Sequence, residues 1–217
     1  MADTRVAELL FDDQADAMRT RQKLLVAAVS AFSSAGFDGA SIRDIERACG
    51  ATRGLIAYHF GSKDDLWRAC VDLLMAKFRE AMTKHHGILR QVSEPERARV
   101  MLRLYVGFAS KHPEFFRLLV VSGADEPQRV EWVVKGLAEN VDFFRDVTGT
   151  RGATTAAAEA MACYLFLGAA SMIFAVPNQC RALFGVDPTD ADFVDHFTEV
   201  VSTFGFYDPR PLGGRVS

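Results

Sequence analysis

Between Ser41 and Leu66 the chain reads SIRDIERACG ATRGLIAYHF GSKDDL, and its punctuation is that of short helices separated by tight turns. Ser41-Ile42-Arg43-Asp44 has the pattern of a capping box, in which Ser41 accepts from a backbone N–H and Asp44 reaches back. The short helix that it opens carries Ile42, Ile45 and Cys49 on one side and ends at Gly50. Thr52 is placed to cap a third helix through Phe60, which Gly61 breaks. Ser62-Lys63-Asp64-Asp65 then forms a second capping box, opening a long amphipathic stretch to about Leu89. Upstream, Leu25, Ala28, Val29 and Phe32 recur at the spacing of one helix face until Gly36 stops it. The pattern predicts a helix-turn-helix inside a three-helix unit, with Cys49-Gly50-Ala51-Thr52 as the turn and Ile45, Ile56 and Phe60 as the apolar seam.

Such a unit works when its second helix braces across a nucleic-acid backbone while the third lies in the major groove. The outer side of the third helix presents Thr52, Arg53, Leu55 and Tyr58. Charge agrees with this reading. Arg19, Arg21, Lys23, Arg43, Arg47, Arg53, Lys63 and Arg68 outnumber the acids between residues 17 and 70, although the whole chain carries a formal charge of −3. Residues 1–16 hold five acids against Arg5, which suggests a disordered acidic tail. A basic block on an otherwise acidic chain is the footprint of a polyanion binder. The plainer alternative is ordinary fluctuation, and charge alone does not choose between them.

The run from Gly50 to Leu66 closely resembles the signature of the tetracycline-repressor (TetR) family of bacterial transcription regulators. Ser41-Ile42-Arg43-Asp44-Ile45, and Ala28, Phe32, Gly36 and Phe37 of the first helix, match in order and spacing. The resemblance implies that Ser41, Thr52, Tyr58, His59 and Lys63 grip phosphates, with Arg43 part of the same surface, while Arg53 and Gly54 approach bases. The chemistry suits these roles: arginine makes a bidentate contact with guanine O6 and N7, and lysine and hydroxyl groups suit phosphate oxygens. Two positions depart from the family pattern. Ala57 stands where an aromatic is usual and removes one phosphate contact, and Leu55, where a polar residue is common, is suited to a thymine methyl. The resemblance further implies a cytoplasmic homodimer on a pseudo-palindromic DNA operator, a repressor released by a small, lipophilic effector.

Helical periodicity continues to the end of the chain, so the 217 residues are expected to be all-α, with about nine helices and no sheet. Three regions are expected: the tail at 1–16, the helix-turn-helix domain at 17–66, and a larger helical ligand-binding and dimerisation domain at 67–217. At 49% hydrophobic and 24% charged, the composition fits a globular chain with a sizeable core. No apolar run is expected to be long enough to span a membrane, and the start lacks the basic and apolar segments of a secretory signal. The four cysteines form no CxxC pair, which argues against a zinc site or a disulfide framework, and no cofactor motif stands out. Rival readings are an all-helical enzyme, for which no nucleophile and base stand together, and an adaptor that binds protein through its basic front.

Of the seventeen phenylalanines, twelve lie after residue 100. Aromatic helices with a few polar groups suit an apolar ligand cavity, although they suit an ordinary core equally well. Given the family resemblance, Arg103, Tyr105, Arg117, Trp132 and Asn140 are the candidate lining residues. The small residues Ala153, Ala156, Ala157, Ala160, Gly168, Ala169 and Ala170 allow close helix approach. With the apolar face Phe193, Val194, Phe197, Val200, Val201 and Phe204, that helix is expected to build an intersubunit four-helix bundle.

Overall fold

A computed structural model describes residues 2–89, 91–122, 126–148 and 155–203. Every regular element among them is helical. In chain order these are α1 (Ala2–Gly39), α2 (Ile42–Ala48), α3 (Leu55–Phe60), α4 (Lys63–Thr83), α5 (His86–Leu89), α6 (Glu94–Lys111), α7 (Pro113–Ser122), α8 (Pro127–Thr148), α9 (Ala156–Ala175), α10 (Pro177–Phe184) and α11 (Ala191–Thr203). The all-α class is as expected, with two more helices than foreseen. A turn at Lys84–His85 separates α5 from α4. The chain after α9 folds as α10, because Pro177 occupies the first helical turn and left-handed Gly185 closes the last. Residues 2–16 continue α1 as helix where a disordered tail was expected; neither Gly nor Pro interrupts residues 2–35.

The chain divides into two units. The first comprises residues 1–74 and 118–133, the second 75–117 and 134–217. The division falls within α4 after Leu74, further along than residue 66, and a returning piece of α7 and α8 belongs with the front. In the first unit, Leu24, Ala28 and Phe32 of α1 form one buried core with Ile45, Ile56, Leu66, Trp67 and Cys70. Each large side chain buried here stabilises the unit by about 1.5–3 kcal/mol. Burial also pushes the Cys70 thiol well above its ordinary pKa, so it is an inert core residue. The helical path of α1 breaks at Gly36, whose φ of 70° is left-handed, and a Cβ there would stand 3.0 Å from Val121 Cγ1. The chain then turns back, with Phe37 stacked on Phe32 at 5.9 Å.

In the second unit α6 packs on α9 and α11. Phe78 stacks on Phe115 at 5.0 Å and meets Tyr105 and Phe108 edge to face. Ser93 and Glu96 close a capping box at the start of α6, and this bond holds the Glu96 carboxyl below its usual range. α9 reverses one expectation. No charge follows Glu159 until Arg181, and the helix is long and apolar enough, by length and composition alone, to cross a membrane. Its residues Ala157, Ala160, Met161, Tyr164, Leu165 and Met172 are exposed. Ala153 and Phe204 of the expected bundle lie outside the described residues.

Candidate nucleic-acid interface

The helix-turn-helix is held at three points. Ser41 occupies the N-cap of α2 and its Oγ accepts from Asp44 N at 3.4 Å. The Asp44 carboxylate does not reach back to complete the box; it accepts from Arg47 at 2.6 Å, one turn along. Gly50 and Gly54, with φ of 69° and 96°, supply the left-handed conformations that the turn requires. At the far end Gly61 stops α3, and Ser62 caps α4 by accepting from Asp65 N at 3.0 Å.

The start of α3 differs from the sequence expectation. Its N-cap is Gly54, not Thr52, and Gly54 has no side chain with which to cap. The missing acceptor comes from α2. Buried Glu46 turns its carboxylate inward, and Oε1 accepts from Gly54 N at 2.9 Å and from Ile56 N at 3.0 Å. The Glu46 carbonyl also accepts from Ala51 N at 2.9 Å. In the sequence, nothing sets Glu46 apart from the other charges of this segment. The signal was there in outline: a helix beginning at a glycine must find its acceptor elsewhere.

The candidates all lie between residues 41 and 63, and none is buried. Arg43, Thr52, Arg53, Gly54 and Tyr58 are exposed, while Ser41, Leu55, His59 and Lys63 are half-buried. Tyr58 is 79% exposed, which a tyrosine recruited for packing would not be. His59 does pack, edge to face with both Tyr58 and Phe60. Lys63 holds its Nζ 4.6 Å from the centre of the Phe37 ring. Arg21 stacks on Phe60 at 4.8 Å, adding a second cation at the C-terminal end of α3.

Residues 24–70, which span this whole arrangement, match the family described as bacterial regulatory proteins, tetR family. Over these residues the chain is similar to the tetR family. It is 35% identical over 107 residues to the HTH-type transcriptional repressor NicS of Pseudomonas putida, a match covering 49% of this chain and 48% of NicS. It is 31% identical over 131 residues to the HTH-type transcriptional repressor AcnR of Corynebacterium glutamicum, covering 57% and 66%. The chain therefore spans about half to two thirds of the length of these curated relatives. Among solved structures, AibR in complex with isovaleryl coenzyme A and operator DNA superposes with a TM-score of 0.64 at 17% identity, over 86% of this chain and 98% of that one. The fatty acid degradation regulator FadR from Bacillus halodurans gives 0.63 at 14% identity, over 88% and 97%. At such identities these two likenesses show a shared fold alone.

The five candidate ligand residues do not gather into one group. Arg103 is exposed. Trp132 belongs to the first unit, where its indole N–H donates to Asp72 at 2.9 Å and Arg68 stacks on its ring at 5.2 Å. Tyr105, Arg117 and Asn140 lie in the second unit. There the Tyr105 hydroxyl bonds to Ser171, Arg117 Nε donates to the Ala175 carbonyl at 2.6 Å, and Asn140 donates to the Gly136 carbonyl at 3.0 Å. Tyr105 and Arg117 thus tie α6 and α7 to α9, and Asn140 bonds within α8. Spacing along the chain could not separate the two units, because α7 and α8 contribute to both. A groove of about 980 Å³ lies instead between α1 and α2, lined by Lys23, Ala27, Ala31, Ser41 and Cys49 among others, and none of the five candidates lines it.

Proposed function

We propose that this chain is a homodimeric transcriptional repressor that binds a pseudo-palindromic DNA operator through α2 and α3. A small lipophilic molecule, bound in the second unit, releases it. The observation that carries the reading is the exposed surface of the turn and α3, where Thr52, Arg53 and Tyr58 all lie outside the core. A cation, a hydroxyl and an aromatic with a polar tip at the start of a short, rigidly held helix are the groups that base edges and phosphates accept. Ser41, Arg43, His59 and Lys63 extend the contact along the sugar-phosphate backbone, and Arg53, Gly54 and Leu55 approach the bases. An enzyme would need a nucleophile and base or a cofactor motif, and neither carries any argument in this sequence. The protein acts in the cytoplasm, where its operator is.

Two relatives support the repressor reading by their names, NicS and AcnR, and AibR supports a ligand-linked one by its complex with isovaleryl coenzyme A and operator DNA. A hundredfold loss of operator affinity needs about 2.7 kcal/mol of coupling between ligand and DNA, within the ordinary range for allostery. α4 and α8 are each continuous through residues of both units, which gives a ligand helices to pull on.

Mobility shift with the DNA upstream of the chain's own gene tests the reading. A saturable shift that survives competitor DNA and weakens with salt is the result expected. A shift abolished equally by any DNA would remove the repressor, and no shift at all would favour a protein-binding adaptor.

A further inference from the structure

We infer that Glu46 is a positioning residue for sequence reading: its buried carboxylate fixes the start of α3, and through it the direction in which Arg53 points. The inference rests on the DNA-binding reading above and concerns a residue that touches no DNA.

Four observations carry it. Glu46 is 3% exposed, although carboxylates are seldom fully buried without partners. Its Oε1 accepts two main-chain N–H groups, from Gly54 and Ile56, on either side of the first residue of α3. Its own carbonyl accepts from Ala51, so one residue of α2 holds both ends of the segment 51–56. Gly54 cannot supply a cap, and Thr52, the nearest hydroxyl, is exposed.

The consequence is geometric. In an ordinary helix start, the Ser or Thr at the cap spends its side chain on the first free N–H groups. Here a carboxylate from behind the helix takes that task, so Thr52 and Arg53 are left on the outer surface. Arg53 immediately precedes Gly54, whose φ of 96° is soft in the absence of a Cβ. A contact that reads one base must be held to a fraction of an ångström. Remove the carboxylate, and the turn keeps its charges for phosphate but loses the constraint that aims Arg53.

Reach and charge are separable by a crossed pair of variants. Glu46→Gln keeps a side-chain oxygen at the same distance but removes the charge, and Glu46→Asp keeps the charge but withdraws the oxygen by one methylene. Sites are first selected from random duplex DNA with the wild-type protein. Binding of each variant is then measured to the selected duplex, to single-base substitutions of it and to random duplex. Glu46→Gln is expected to discriminate within about twofold of wild type. Glu46→Asp is expected to lose tenfold or more at the base read by Arg53, with random-duplex affinity and salt slope kept. Amide exchange at Gly54 and Ile56 is expected to quicken in Glu46→Asp and not in Glu46→Gln. Discrimination unchanged from wild type in both variants overturns the inference. Unchanged exchange at Gly54 and Ile56 in Glu46→Asp overturns it without any DNA. If the wild-type protein selects no site, the proposed function itself fails, and exchange still decides whether Glu46 holds the turn.

Discussion

Arg129 holds its guanidinium 3.8 Å from the centre of the Phe37 ring, tying the first turn of α8 to the chain reversal that follows α1. The same side chain reaches Asp64 at 3.3 Å and Glu126 at 3.7 Å, and it is only 9% exposed. A desolvated cation on an aromatic face contributes about 2 kcal/mol, and its carboxylates add less because both are largely exposed. Arg129→Ala is expected to lower the stability of the first unit by about 2–3 kcal/mol in urea unfolding, and Arg129→Lys by less. Unchanged unfolding of Arg129→Ala would show that the contact contributes nothing.

Much of this arrangement was legible in the sequence. Gly36, Gly50 and Gly61 mark the ends of helices wherever they occur, because a residue with left-handed φ ends an α-helix whatever surrounds it. The seam of Ile45, Ile56 and Phe60 followed from spacing, and the two isoleucines are buried while Phe60 is half-buried. Contacts between residues far apart in the chain were not legible. Glu46 looked like surface charge because its partners are backbone N–H groups, which no side-chain pattern announces. Arg129 lies 92 residues beyond Phe37, and nothing in periodicity says that α8 returns to the front unit. Trp132 was drawn into the ligand candidates for the same reason. The apolar run of α9 was hidden by its small and weakly polar residues, which interrupt a reading by eye without lowering its hydrophobicity much.

Lys63 separates affinity from specificity. Lys63→Ala is expected to weaken binding to every duplex alike and to reduce the salt slope by about one unit, the signature of one lost phosphate contact. Measuring affinity at four salt concentrations is sufficient. An unchanged slope would confine Lys63 to its place over Phe37.

Assembly is expected to depend on the exposed face of α9. Ala160→Arg places a long charged side chain beside Met161 and Tyr164, where a second copy must approach closely. Light scattering is expected to give a monomer that has lost operator binding while its first unit stays folded. A dimer of unchanged mass would move the interface elsewhere, and partition of the wild-type protein into lipid vesicles would assign the face to a membrane.

Burial raises the pKa of the Tyr105 hydroxyl to about 12, opposed by its bond to Ser171. A raised native value means that the folded state holds this proton more tightly than the unfolded chain. The contribution to stability is therefore complete below the ordinary tyrosine value of about 10 and is lost as the pH rises through about 12. Ultraviolet titration of wild type and Tyr105→Phe checks this: the variant is expected to lack the last phenolate step. Loss of a step near pH 10 instead would place Tyr105 in contact with water.

The central claim is that α3 reads DNA sequence, and the base preference of Arg53→Ala tests it most directly. Sites selected from random duplex by the wild-type protein are compared with those selected by the variant, and both proteins are titrated on each single-base substitution. The account predicts that the variant loses about 1–3 kcal/mol of discrimination at one position in each half-site, with the other positions and the binding of random duplex little changed. Identical preferences in the two proteins, or no selection of any site by the wild type, would contradict it.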